Sequence, residues 1–205
     1  MAELKLTKTH LRSEQVKLER LCKYLPTLQL KKALLQIEVN QAQTEVALLI
    51  AEFTLSQEKV GKYASLLTER GATDLFSAVK VEKVLFSHEN VAGVEIPLFE
   101  SVVFSEPAYA LFSTPLWFES AIAGLKELIG IREKIKIAEA KKAALEKELK
   151  EVSIRVNLFE KILIPRSLSN IKKIKIFLGD QQLAAVAQAK VAKKKILQRT
   201  AKERK

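Results

Sequence analysis

Few side chains in this sequence could do chemistry. His10 and His88 lie far apart, with no cysteine or acidic cluster at metal-ligand spacing, and Cys22 is the single cysteine. Between Glu146 and Glu151, glutamates alternate with lysines, which is typical of a solvated helix flank rather than of paired catalytic carboxylates. The sequence also lacks a glycine-rich phosphate loop, a dinucleotide fingerprint and a nucleophile elbow. We therefore expect no catalytic residue, no metal site and no cofactor.

Positive charge is concentrated at the C-terminal end of the chain. Of the net charge of +11, residues 166–205 carry nearly all, because twelve Lys and Arg stand there against Asp180 and Glu203. The segment could be a solvated terminus that keeps the protein soluble, or it could bind phosphate groups of a nucleic acid. Aromatic residues that would stack on bases are absent after Phe177, however. A third interpretation is a protein partner with a negative or polar bore that receives this tip.

Two stretches that could position this basic segment follow a heptad pattern. In both stretches apolar residues recur at alternating spacings of three and four residues. The polar exceptions are Glu14, Lys32, Ser56 and Lys142. The first stretch comprises Leu11, Leu18, Leu21, Leu25, Leu28, Leu35, Val39, Ala42, Val46, Leu49, Phe53, Val60, Tyr63 and Leu67, and the second comprises Leu128, Ile131, Ile135, Ala138, Leu145, Leu149, Val152, Val156, Phe159 and Leu163.

Apolar stripes this narrow and long are coiled-coil seams. A chain that folds back at its middle can pair both seams in one molecule, so we predict a mostly α fold: a long antiparallel two-helix coiled coil with a short β-hairpin-like cap at the central turn. An arm of roughly 60 residues would span about 90 Å at ~1.5 Å per residue. Such a rod is unlike a compact enzyme.

The middle of the chain separates the two arms. Gly93, Pro97 and two further prolines punctuate a segment rich in β-branched and aromatic residues, with strands indicated at 91–96 and 102–104. Before this segment, the first arm could continue as a second helical piece towards Leu85. Ser113-Thr114-Pro115 resembles a helix start. We predict an N-terminal arm at 1–80, a central cap with short strands at 81–116, and a C-terminal arm with a basic tip at 117–205.

Two prolines fall inside the predicted helices. Pro26 lies within the first heptad frame, so we expect a kink rather than a stop. At Pro165 the seam is predicted to shift register to Ile164, Leu168, Ile171, Ile174 and Leu178. Because the second arm is longer than the first, its basic tip is expected to project partly as a single helix.

The sequence offers no segment suited to crossing a membrane. Its longest apolar run, from Val46 to Ala51, is far shorter than the roughly 20 residues of a spanning helix, and the N-terminus lacks a signal-peptide core. We expect a cytoplasmic protein without direct membrane insertion.

Three motifs carry a resemblance to a known family. Read in order, Asn90-Val-Ala-Gly-Val-Glu-Ile-Pro97, Ser113-Thr-Pro-Leu-Trp117 and Arg155-Val-Asn-Leu-Phe-Glu160 with Ile164-Pro165 resemble the D subunit of the V-type and archaeal A-type rotary ATPases, as a bacterial member. The likeness spans nearly the whole chain. Family members usually have a mixed acidic and basic helix after the proline motif, whereas residues 181–192 here are rich in Ala and Gln.

The resemblance implies a central stalk without catalytic activity of its own. Its terminal end would enter a ring of nucleotide-binding A and B subunits, and its cap end would face a socket subunit of the membrane-embedded proton or sodium rotor. The small F subunit of the stalk would bind the side of the shaft. The protein would then be a member of a hetero-oligomer, peripheral to the inner face of the cell membrane, and would transmit torque.

Two other classes of function stay open from the residues alone. The same heptads would serve a coiled-coil adaptor or scaffold that pairs between chains, and the basic tail would serve a nucleic-acid-binding protein. We favour the rotor stalk, with protein partners and no nucleic acid. The candidate partner contacts are Lys190, Lys193, Lys194, Lys195, Arg199, Arg12, Arg155 and Asn157.

Overall fold

The computed structural model describes residues 5–62, 79–105 and 115–203, with side chains as far as Arg199. These residues form a mostly α fold, as predicted. Its elements in chain order are α1 (Lys8–Gly61), β1 (Val81–Val91), β2 (Val94–Phe104), α2 (Phe118–Leu158), a π-helical turn (Phe159–Leu163) and α3 (Ile164–Glu203). The division into arms and a cap at residues 80 and 116 stays a prediction, because both junctions border ranges outside the described residues.

The chain forms two compact units. Unit 1 comprises Met1–Leu30 with Ser153–Lys205, and unit 2 comprises Lys31–Val152. Each unit therefore takes one part of α1 and a part of the second helical arm, and the hairpin belongs to unit 2.

Helix α1 begins with a side-chain cap and continues through a proline. The Thr7 hydroxyl accepts a hydrogen bond from the backbone N–H of His10 at 3.3 Å, and the Thr7 carbonyl accepts one from Leu11 N–H at 2.9 Å. Pro26 lies inside the helix, which is assigned without a break from Lys8 to Gly61. The expected second helical piece towards Leu85 is wrong from Val81 onward, because that segment pairs as a strand.

The predicted heptad stripe of α1 is the buried face of this helix. Every stripe position from Leu11 to Val60 is buried or half-buried, and the three polar interruptions obey the same register. Glu14 and Ser56 are buried, and Lys32 is half-buried. The seam thus tolerates polar side chains without moving its apolar neighbours to the surface.

In unit 2, α1 and α2 run antiparallel side by side. Lys31 Nζ donates to Glu148 Oε1 at 2.8 Å, and Lys141 Nζ donates to Glu45 Oε2 at 2.9 Å. Further along, Ser56 Oγ donates to a carboxylate oxygen of Glu127 at 3.3 Å. Partners on α2 move back as positions on α1 advance, which defines antiparallel pairing. The helices enclose a core whose fully buried members include Leu35 and Leu145.

The hairpin is a two-stranded antiparallel sheet closed by a two-residue turn. Val91 pairs with Val94, and both turn residues have positive φ, 53° at Ala92 and 83° at Gly93. This is the type I′ geometry that matches the twist of a hairpin. The side chain of Asn90 accepts a hydrogen bond from Gly93 N–H at 2.9 Å and so stabilises the turn.

Unit 2 packs the hairpin alongside its helices. Lys126 and Lys134 of α2 place their ammonium groups 5.6 Å from the ring centroids of Phe104 and Phe99. At the tip, the position that a Cβ of Gly93 would occupy lies 3.8 Å from Lys31 Nζ. The hairpin therefore extends along the helices towards the level of Lys31.

Helix α2 begins in an aromatic cluster. Phe118 is buried with Ala121 and Ile122, and Trp117 packs against them with its ring 6.2 Å from that of Phe118. Trp117 is thus a packing residue at the start of the second arm. The helix begins at Phe118, and the predicted cap residues Ser113 and Thr114 lie outside the described residues.

In unit 1 one turn of the second helical arm is wider than an α-helical turn by one residue. In the π-helical turn, Ile164 N–H donates to the carbonyl of Phe159, five residues back, directly before Pro165. A widened turn at this point leaves room for a proline ring that would clash with the preceding turn of a regular helix. The inserted residue shifts the seam, so Ser167 is buried and Leu168 is 52% exposed. The expected seam position at Leu168 is therefore wrong, whereas Ile171 and Ile174 are buried as expected.

Candidate functional site

Unit 1 carries a groove on the N-terminal part of α1. The groove has a volume of about 620 Å³, and Phe159 from the π-helical turn lies in its lining. Residues of α1 supply the rest of the lining, at positions that recur every three or four residues and therefore share one side of the helix. They are Thr9, Arg12, Ser13, Val16, Lys17, Arg20, Leu21 and Tyr24.

The groove combines an apolar floor with positive charge. Val16 and Tyr24 are 40% and 59% exposed and give the groove an apolar surface that solvent reaches. Arg12, Lys17 and Arg20 supply three cations, and the lining residues that the structure describes include no carboxylate. Lys17 Nζ lies 4.0 Å from the buried Glu14 Oε1 beside the groove. A partner segment with apolar side chains and carboxylates would match this surface, since guanidinium groups bind carboxylates in a bidentate manner.

Local packing fixes one side of the groove. Ser13 Oγ donates to the carbonyl of His10 at 2.8 Å, so the hydroxyl is bound within its own helix. Leu21 is both a groove residue and a buried seam residue, 9% exposed. The floor is thus continuous with the buried seam of unit 1.

A second candidate surface is the C-terminal part of α3. Every side chain from Asp180 to Arg199 is exposed, so this stretch is helical without being packed against another described element. Between residues 181 and 199 it carries five positive charges and no acidic residue. The charges belong to Lys190, Lys193, Lys194, Lys195 and Arg199.

The predicted contact residues lie at three places within unit 1. Arg12 lies in the groove, whereas Arg155 and Asn157 are exposed near the end of α2 and are not among its lining residues. The predicted basic residues of α3 begin at Lys190, about 45 Å from Phe159 along the helix axis at ~1.5 Å per residue. The basic tip and the groove are therefore separate surfaces, and the assignment of all eight residues as partner contacts stays a prediction.

Sequence reasoning missed most of the groove. Val16, Arg20 and Tyr24 recur every four residues outside the heptad stripe, and this second periodicity was the available signal. Phe159 is a predicted seam residue, and its part in the groove depends on the π-helical turn, which no residue pattern indicated.

Two kinds of site are absent from the part of the chain that the structure describes. No three His, Cys, Asp or Glu side chains gather there at metal-binding distance. Over the same residues, none of the helices is long and apolar enough to cross a bilayer.

Comparison with known proteins assigns the chain to a family. A family model for the D subunit of ATP synthase matches residues 10–194. The V-type ATP synthase D subunit of Chlamydia abortus is 44% identical over 199 residues, covering 97% of this chain and 96% of the relative. The proteins of the same name from Chlamydia trachomatis serovar L2 and Chlamydia pneumoniae are 44% and 40% identical over 201 residues, and these matches cover 96% and 98% of this chain and 98% and 96% of the relatives.

The matched region contains both helical arms and the hairpin between them. The chain belongs to the family of ATP synthase D subunits. This confirms the resemblance to the D subunit of the V-type and A-type ATPases that the three sequence motifs carried.

Proposed function

We propose that this chain is the central rotor stalk subunit of a V/A-type ATPase that translocates protons or sodium ions. It transmits torque between a catalytic ring of A and B subunits and the membrane rotor. ATP is hydrolysed or synthesised on the ring, and this chain contributes no catalytic group. The complex places it at the inner face of the cell membrane, on the cytoplasmic side.

The antiparallel pairing of α1 and α2 is the observation that best supports this role. A shaft must resist bending and twisting, and unpacking a seam exposes apolar side chains worth ~1.5 to 3 kcal/mol each when fully buried. Leu35 and Leu145 are both 0% exposed in unit 2, so distortion there is costly. The same pairing disfavours the adaptor or scaffold alternative, since the chain fills its own seam.

Unit 1 holds the surfaces suited to the ring. Its groove and the exposed stretch of α3 present cations, which make salt-sensitive contacts that exchange more readily than deep apolar docking. We assign this unit to the interior of the A and B ring. The hairpin-bearing unit 2 is assigned to the socket subunit and the small F subunit of the stalk.

A rotation experiment tests the proposal. The exposed Cys22 is first replaced by serine, and the exposed Glu95 of the hairpin is replaced by cysteine to attach a bead. With ring subunits fixed to a surface, ATP should drive rotation of the bead in one direction, and a non-hydrolysable analogue should not. A complex that hydrolyses ATP while the bead stays still would overturn the torque-transmitting role.

Two variants test the basic tip and separate the effect of its charge from the effect of helix length. Deleting residues 193–205 should lower the coupling of ATP hydrolysis to ion transport without unfolding the paired helices. Replacing Lys193, Lys194 and Lys195 by glutamine keeps the helix length and removes the charge. Unchanged coupling in both variants would refute a role for these lysines.

A further inference from the structure

The second helical arm changes its apolar frame at the π-helical turn of unit 1. Before the turn, the heptad frame that begins at Leu128 reaches Val156, Phe159 and Leu163, which are buried or half-buried. After the turn, the buried or half-buried positions again alternate at spacings of three and four, but they are one residue out of phase with the first frame. They are Ile164, Ser167, Ile171, Ile174 and Leu178.

The first frame has no apolar continuation beyond Leu163. A continuous α-helix would extend it to Arg166, Asn170, Lys173 and Phe177. Two cations and an amide would then enter the seam, while Ile171 and Ile174, which are buried in the structure, would leave it. Burying charged side chains in place of apolar ones is unfavourable, because the charges lose their hydration. The frame therefore has to change after Leu163.

The second frame, in turn, has no apolar extension before Ile164. Traced backwards at the same spacings, it passes through Glu160, Asn157 and Ser153. Glu160 and Asn157 are exposed, and Phe159 takes the half-buried position instead. Polar residues on both sides thus confine the change of frame to the interval from Phe159 to Ile164, which is the interval of the π-helical turn.

The proline that follows the turn does not account for it. Pro26 has the same chemistry as Pro165, yet α1 is α-helical along its whole length. At Pro26 the apolar frame does not change, because Leu25 and Leu28 both keep their half-buried seam positions. A proline in a continuous frame thus leaves the helix α-helical, whereas the π-helical turn occurs where the frame changes.

We infer that the π-helical turn is a register adapter, which the change of apolar frame imposes and holds at this place in the chain. One extra residue in the turn compensates for the phase difference of one residue, so both frames lie on the same side of the arm. Moving the turn towards the N-terminus would bring Glu160 into the seam, and moving it towards the C-terminus would bring Arg166 there. A twist of α3 about its axis is therefore not relieved by moving the extra residue along the helix. The inference goes beyond the proposed function and holds whether or not the chain is a rotor.

Removing the extra residue tests the adapter. The deletion is made in the Pro165→Ala chain, so that Pro165 does not enter a regular helix. Without the exposed Glu160, Ile164 lies four positions after Phe159 and Ser167 lies seven positions after it, so the two frames become one. We expect a continuous α-helix that buries the same residues as the parent Pro165→Ala chain.

The matched control deletes one exposed residue after the turn, in the same parent chain. Without Lys172, the position three residues after Ile171 is taken by Lys175 rather than by Ile174. Thermal unfolding followed by circular dichroism should give the first deletion a melting temperature equal to or above that of the parent, and the control deletion one at least about 5 °C lower. A loss in the first deletion as large as in the control, or no loss in either, would overturn the adapter.

Cysteine labelling in the full chain tests the cause of the turn. In the Cys22→Ser chain, Ile174→Cys should react with a maleimide at least about tenfold more slowly than Lys173→Cys, because a buried thiol reacts only on local opening. Since the frame imposes the turn, adding Pro165→Ala should leave this order unchanged. If the proline caused the turn, that variant would straighten the helix and bury position 173 in place of 174. A reversed order or equal rates after Pro165→Ala would overturn the inference.

Discussion

The ammonium of Lys31 lies 2.8 Å from a carboxylate oxygen of Glu148, although 117 residues separate the two in the chain. Both side chains are partly buried, with 31% of the lysine and 27% of the glutamate side chain exposed. The pair joins α1 to α2 at the level of the hairpin tip. It therefore marks which turn of one helix lies beside which turn of the other.

The first prediction concerns the strength of this pair. Replacing Lys31 and Glu148 by alanine singly and together should give a coupling energy of about 0.2 to 1 kcal/mol, since the pair is still reached by solvent. Urea unfolding of the four proteins measures this energy. The pair Lys142–Glu146, at 3.7 Å within α2, is the control and should show the weaker coupling. A coupling of zero for Lys31 and Glu148 would contradict a stabilising contact between the two helices at this point.

The second prediction contrasts buried and exposed leucines on the two helices. Leu145→Ala removes a side chain that is 0% exposed and should lower the free energy of unfolding by about 2 to 5 kcal/mol, because a cavity is left in the core. Leu48→Ala makes the same change at a side chain that is 71% exposed, and should alter stability by about 0.5 kcal/mol or less. Chemical denaturation compares them, and equal losses would show that unit 2 does not bury Leu145 as described.

The third prediction uses two glycines of α2. A Cβ at Gly124 would lie 2.9 Å from Val60 Cγ2, whereas nothing lies within 4 Å of a Cβ at Gly130. Because the valine side chain is stiff, Gly124→Ala should push α1 and α2 apart and destabilise the protein by about 1 to 3 kcal/mol. Gly130→Ala should instead stabilise it by up to about 1 kcal/mol through helix propensity.

A second variant separates crowding from backbone effects at Gly124. Adding Val60→Ala removes the atom that the new Cβ would meet, so the double variant should recover part of the loss. Thermal unfolding followed by circular dichroism measures each melting temperature. Identical melting temperatures for Gly124→Ala and Gly130→Ala would be inconsistent with the close approach.

The fourth prediction concerns the hairpin turn. Ala92 has a φ of 53°, a left-handed conformation that costs a non-glycine residue roughly 1 to 2 kcal/mol. Ala92→Gly should therefore slow amide hydrogen exchange in β1 and β2 through greater local stability. Asn90→Ala should speed exchange, because it removes the acceptor for Gly93 N–H at 2.9 Å. Faster exchange in Ala92→Gly would mean that the turn is not strained.

Much of the fold could be predicted because the spacing of apolar residues along a helix indicates which of its faces is buried. The stripe from Leu11 to Val60 indicated the buried face of α1, including the buried polar positions Glu14 and Ser56. A short hairpin was expected in this part of the chain from its Gly, Pro and β-branched residues. Its turn at Ala92 and Gly93, however, falls inside the stretch 91–96 for which a strand was indicated. Strand β1 began earlier than expected, since the helical pattern weakens gradually before Val81 and marks no sharp boundary.

The missed features depend on backbone geometry that residue types do not specify. Pro165 indicated a disturbance, yet the residue is accommodated by one extra residue between Phe159 and Leu163, which moved burial from Leu168 to Ser167. The groove beside that turn was missed for the same reason. The charge distribution located the basic tip, but the sequence analysis grouped Arg12 of the groove with the cations of that tip. Their separation follows from the continuous helix between Phe159 and Lys190, which the sequence did not define.

The exposed stretch of α3 between Asp180 and Arg199 has a thermodynamic consequence. Isolated helices of this length are marginal in water. The side chains of this one are exposed in the part of the chain that the structure describes, so its alanines contribute to its stability through helix propensity. Its helix–coil equilibrium is therefore sensitive to heat, and a partner that binds only the helical form must supply the entropy lost on ordering the coil. The affinity of this segment for its partner is consequently expected to fall on warming, before the paired helices of either unit begin to melt.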